Sequence, residues 1–124
     1  MDPSEKEVYD TLIALLHSIR KGDVEYYTKH TSEDMTCFEP ESSGLQIRGR
    51  QFHEFFMARS DSNLEYNFEI VDPTIRVLGD TAYAAYNMVL QRFVEGKFKL
   101  GKVSETRIFR RIEDRWIMIH FHRN

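Results

Sequence analysis

The sequence predicts an α+β fold: about three helices packed against one face of a strongly curved, mostly antiparallel sheet. Apolar residues recur at helical spacing in the first half of the chain, then alternate with polar residues at period two from Leu64 onward. The connections between the later runs are short enough to favour neighbouring antiparallel strands over crossover helices. Such a cone-shaped arrangement leaves a pocket between helices and sheet.

Val8, Leu12, Leu15, Leu16 and Ile19 share one helical face, with Asp2 and Pro3 suited to its start and Gly22 to its end. Asp23 can cap a short second helix through Tyr26 and Tyr27. Phe52, Phe55 and Phe56 predict the apolar face of a third helix after Gly49. Between them, Met35 to Phe38 and Leu45 to Arg48 read as short strands broken by Pro40 and Gly44. Leu64, Tyr66, Phe68 and Ile70 then alternate with Glu65, Asn67 and Glu69, and strand-like runs follow at Thr74 to Leu78, Thr81 to Val94, Phe98 to Arg111 and Arg115 to His122. Asp72-Pro73, Gly79-Asp80, Glu95-Gly96 and Glu113-Asp114 are the expected turns.

In the last run a regular strand places Ile117, Ile119, Phe121 and Arg123 on one face and Trp116, Met118, His120 and His122 on the other. A cation thus ends an apolar stripe. An unpaired guanidinium is costly to bury, so Arg123 points to a cavity holding a carboxylate, an anion or water.

A chain of 124 residues, 41% hydrophobic and 30% charged, suits one domain over 1–124, without a linker or repeat. The net charge of -3, with Lys and Arg scattered among Asp and Glu, speaks against a nucleic-acid binder and a polybasic membrane contact. Acidic and basic residues precede the first apolar ones, and no apolar run is long enough to span a bilayer. The single Cys37 excludes an internal disulfide and fits a reducing compartment, so the chain reads as cytoplasmic.

Candidate chemistry is sparse. Glu105 lies two residues from Arg107 on one strand face and can neutralise it. Arg123 lacks an acidic neighbour on its own face, leaving Glu39, Glu41 or the terminal carboxylate to reach it across the fold. His120 and His122 share a strand face, but zinc needs further ligands and Cys37 is unassigned to them, so they read as hydrogen-bonded structural histidines. No metal or cofactor is expected.

Gly22-Asp23, Tyr27-Thr28-Lys29, Met35-Thr36-Cys37-Phe38-Glu39-Pro40-Glu41, Phe52-His53, Ser104-Glu105-Thr106-Arg107 and Ile119-His120-Phe121-His122-Arg123 together resemble the association, or hub, domain of calcium/calmodulin-dependent protein kinase II. The resemblance runs in order along nearly the whole chain and implies the nuclear transport factor 2-like, or SnoaL-like, class of cones. It also implies a scaffold of dimers assembled into a ring of about 12 or more subunits. Kinase domains or a full-length kinase are the implied partners, although the chain carries no Gly-rich phosphate loop, His-Arg-Asp or Asp-Phe-Gly.

The resemblance further implies a ligand site for small carboxylates at His53, Arg107 and Arg123. Met88 occupies the place of a further arginine in kinase hubs, so the cationic pocket is only partly retained. Tyr27, Glu39, Glu105 and Met88 are the expected lining. Cones of this class also include isomerases and dehydratases; Glu39 as base, with Tyr27 or His53 as donor, is the arrangement that proton-transfer chemistry would use here. The chain is expected not to be an enzyme.

Overall fold

The computed structural model describes residues 1–59 and 66–124; Leu64 and Glu65, which open the long alternation, lie outside the described residues. Helix α1 (Pro3–Lys21) starts at a reciprocal cap, in which Asp2 accepts the Glu5 amide and Glu5 accepts the Asp2 amide, each at 2.9 Å. It stops at Gly22, whose left-handed φ of 71° suits a residue without a Cβ. Between these signals, Val8, Leu12, Leu15 and Leu16 bury the predicted stripe. Helix α2 (Val24–Lys29), capped by Asp23, buries Tyr27.

Helix α3 (Gln51–Arg59) departs from expectation. Its buried residue is Met57, whereas Phe52, Phe55 and Phe56 are 44%, 63% and 61% exposed. Polar anchors set its position: Arg50 donates to the Thr31 carbonyl at 2.8 Å and the Thr28 carbonyl at 3.3 Å, and Thr28 donates to Glu54 at 2.8 Å. The helix therefore turns His53 and Met57 inward and leaves most of its aromatic face uncovered.

The sheet comprises β1 (Thr31–Phe38), β2 (Ile47–Arg48), β3 (Tyr66–Leu78), β4 (Thr81–Val94), β5 (Lys97–Ile112) and β6 (Arg115–Arg123), in the order β2-β1-β6-β5-β4-β3. Every neighbouring pair is antiparallel except β1 and β6, which run parallel. Glu95-Gly96 and Glu113-Asp114 take positive φ at both residues, the backbone of tight hairpins whose twist matches their strands. A 3-10 turn (Pro40–Ser42) separates β1 from β2.

Two bulges correct the sequence reading. Asp72-Pro73 does not divide two strands; β3 continues through it, with a register shift between Val71 and Thr74 and a positive φ of 51° at Asp72. Because β3 is an edge strand, Pro73 breaks no ladder that the sheet requires. The inward phase changes there from Phe68 and Ile70 to Ile75 and Val77.

In β6, Ile108 pairs with His120 while Phe109 pairs with Met118, leaving Ile119 as the extra residue. The expected alternation holds only on either side of it. Trp116 and Met118 therefore share the inner face with Phe121 and Arg123, while His120 and His122 face outward. On that outer face Thr36 Oγ1 lies 2.7 Å from His120 Nδ1, and Phe38 packs against both histidine rings. Burial, and secondarily His122, lowers the pKa of His120.

Candidate functional site

The inner end of the cone gathers polar side chains from β1, α3, β4, β5 and β6. Alternation turns Met35, Cys37 and Glu39 inward as β1 ends. The β1–β2 pairing, with Cys37 opposite Ile47, and the Gly49 amide bond to the Met35 carbonyl bring α3 back over this strand end. His53 Nε2 thereby lies 2.7 Å from Glu39 Oε1 and 4.0 Å from Cys37 Sγ.

The other half of the site comes from cross-strand pairs. Tyr86 stands opposite Glu105, Glu105 opposite Arg123, and Arg107 opposite Phe121. Arg107, 3% exposed, donates to one oxygen of Glu105 from Nε at 3.1 Å and has Nη2 3.0 Å from it. The same oxygen accepts the Tyr86 hydroxyl at 2.5 Å. The guanidinium also stacks 4.2 Å from the Phe121 ring centre, a favourable cation–aromatic arrangement. Burial opposes the charge of Arg107, but Glu105 and then Tyr86 outweigh it and hold its pKa above the usual value.

Arg123 joins the two halves. Its Nη2 reaches Glu41 at 2.5 Å and Glu39 at 3.4 Å, and its Nε lies 3.7 Å from Glu105. Burial works against its charge too, and Glu41, Glu105 and Glu39 raise its pKa in spite of that. For Glu39, burial acts to raise the pKa, but contacts with His53 and Arg123 leave it lowered. The arginines therefore face carboxylates rather than empty space.

The structure brings His53, Glu39, Glu105, Arg107 and Arg123 into this connected network. Tyr27 lies beside it: its ring centre is 6.2 Å from that of His53, and its hydroxyl is 3.5 Å from Met35 Sδ. Burial raises the pKa of Tyr27. Met88 is buried on the same strand face as Tyr86, opposite Val103, and supplies an apolar side. Sequence reading missed Tyr86, although its inward phase with Ala82, Ala84 and Met88 could have placed it. It also left Cys37 without a neighbour, because His53 approaches from a separate helix.

A family model described as the calcium/calmodulin dependent protein kinase II association domain matches residues 4–124. The chain belongs to that family. Subunit delta of calcium/calmodulin-dependent protein kinase type II from Oryctolagus cuniculus is 32% identical over 97% of this association domain, which spans 23% of that relative's length. The solved association domain of the C. elegans kinase matches with a TM-score of 0.90 and 29% identity, covering 98% of this chain and 95% of that one. A nuclear transport factor 2-like superfamily protein from Salmonella enterica shares the fold, with a TM-score of 0.78 and 21% identity over 97% of this chain and 89% of that one. The matched relatives place this chain with a self-association scaffold, and the matched region is an association domain rather than a kinase domain. Among the described residues no helix is long and apolar enough to cross a membrane.

Proposed function

We propose that this association domain forms dimers, that the dimers assemble into a closed ring of about 12 or more subunits, and that the ring is a cytoplasmic scaffold which can gather kinase domains or a full-length kinase. The carrying observation is apolar surface at two separate places: Phe52, Phe55 and Phe56 on α3, and Phe93, Val94, Phe98 and Leu100 around the β4–β5 hairpin. Phe93 and Phe98 already pack edge to face, forming one apolar knob. A ring built from dimers requires two kinds of contact, and two unlike aromatic patches provide suitable surfaces. Native mass spectrometry of the 14.8 kDa chain tests this reading. The expected mass is that of a ring; one or two subunits at micromolar concentration overturns ring formation. Phe55→Ser with Phe56→Ser, and separately Phe93→Ser with Phe98→Ser, should each yield smaller species while retaining the monomer's circular dichroism.

The proposed scaffold also keeps a small-carboxylate site at His53, Arg107 and Arg123, lined by Tyr27, Glu39, Glu105 and Met88. Glu41 is the partner a ligand can replace: its side chain is 55% exposed, whereas Glu105 is buried. Butyrate titration followed by calorimetry should show binding that Arg123→Gln removes and Glu41→Gln strengthens. Equal binding in all three proteins would refute the site. Proton-transfer catalysis is disfavoured by the same contacts, because His53 and Arg123 stabilise ionised Glu39 and make it a weaker base.

A further inference from the structure

We propose that Cys37, Glu39 and His53 form a three-ligand site for a zinc-class divalent cation. Their donor atoms all lie within 4.8 Å of one another. Thiolate, imidazole and carboxylate together favour zinc over magnesium or calcium, which prefer all-oxygen surroundings. This inference goes beyond association and does not depend on it.

The geometry distinguishes a metal from a nucleophile–base relay. A relay would use the two imidazole nitrogens on two different partners. Here Nε2 faces both Cys37 and Glu39, while buried Nδ1 has no hydrogen-bond partner among the described residues. Three ligand atoms, Sγ, Nε2 and a Glu39 carboxylate oxygen, thus converge on one region. A tetrahedral zinc ion requires S···N and N···O separations of about 3.6 and 3.3 Å. The sulfur contact would close by about 0.4 Å from 4.0 Å and the oxygen contact open by about 0.6 Å from 2.7 Å.

Charge also favours the cation. Glu39, Glu41 and Glu105 face Arg107 and Arg123, three carboxylates against two guanidiniums. Coordination of the cation by Sγ and Nε2 releases the thiol proton to solvent and leaves the His53 N–H on Nδ1. Arg123 contacts Oε2 of Glu39, so Oε1 can ligate while the guanidinium orients the carboxylate. The unpartnered Nδ1 limits affinity to about 10–100-fold below that of a site with a complete outer shell.

Cobalt(II) titration tests the site, with the ion added both to folded protein and during refolding. One equivalent should produce a thiolate-to-cobalt charge-transfer absorption that zinc displaces, and X-ray absorption of the zinc form should show one sulfur ligand. Cys37→Ser should abolish the charge-transfer absorption, and His53→Gln should weaken binding by about 10-fold or more. Circular dichroism and native mass on the same samples separate loss of metal from loss of fold or assembly. No thiolate absorption in natively folded wild-type protein, or unchanged zinc binding in folded Cys37→Ser, overturns the proposal; the latter would identify an ion elsewhere, for example at His120 and His122.

Discussion

Replacing Glu105 with Gln asks whether the buried network behaves as one unit. The substitution keeps the side-chain size but removes the charge that faces Arg107 at 3.0 Å, where both residues are buried. Breaking a buried ion pair from one side costs about 3–5 kcal/mol, chiefly because the remaining charge stays desolvated. The amide oxygen can still accept a hydrogen bond from the guanidinium, which places the expected cost near the lower end, about 3 kcal/mol. With a urea slope of about 1–3 kcal/mol per molar, the midpoint should fall by about 1–3 M. Trp116, the single tryptophan and a buried one, provides the fluorescence signal. Protein concentration must be fixed, since assembly and folding are linked in an oligomer. Arg107→Met in the Glu105→Gln background should recover at least about 1.5 kcal/mol relative to the summed single changes, because no buried charge is stranded. A Glu105→Gln cost below about 0.5 kcal/mol, or additive single changes, would refute the coupled-network account.

Deletion of Ile119 should remove the β6 bulge and let His120 follow Met118 in regular alternation, so Phe121 and Arg123 stay on the inner face; a folded protein with Arg123 still paired to Glu39 in a crystal structure is expected, and Arg123 turned to the outer face would contradict the assignment of Ile119 as the inserted residue. Glu39 should contribute to acid sensitivity. Burial would raise its pKa, but His53 and Arg123 bring it below the ordinary 4.5, so the unfolded chain binds more protons in that range. Its stabilising contribution is full above that ordinary value and is lost as pH falls through the folded value. Glu39→Gln should flatten the decline in urea midpoint between about pH 6 and about pH 3, and an unchanged decline would show that other groups carry it.

Periodicity made most of the architecture legible. Asp2, Pro3 and Gly22 bound a helix because each resolves a hydrogen-bond or backbone problem at a helix end, and local sequence states that problem. Bulges are different: at Asp72-Pro73 and Ile119 one strand is offset against its neighbour, and neither strand alone records the offset. The two inserted residues changed which side chains lie on the inner face without erasing the strands. The α3 phenylalanines were misread because apolar spacing identifies a helical face but not what covers it. At the site, Glu105 and Arg107 were legible as neighbours on one strand, whereas Arg123 with Glu39, and His53 with Cys37, depend on contacts across the fold. The inward phase of Tyr86 was legible beside Ala82, Ala84 and Met88, whereas its partner Glu105 depends on the β4–β5 register.

The insertion of β6 between β1 and β5 has a consequence during synthesis. Thr36 must wait for His120, and Phe38 for His122, before the middle of the sheet can form. Such distant pairing makes closure a late step, and the ribosome must release this segment before the two sides of the sheet can be joined. Until then β1 and β5 expose backbone hydrogen-bonding edges, while Glu39 and Glu105 lack Arg123 between them. Emergence of residue 123 thus completes both the sheet and its internal charge network.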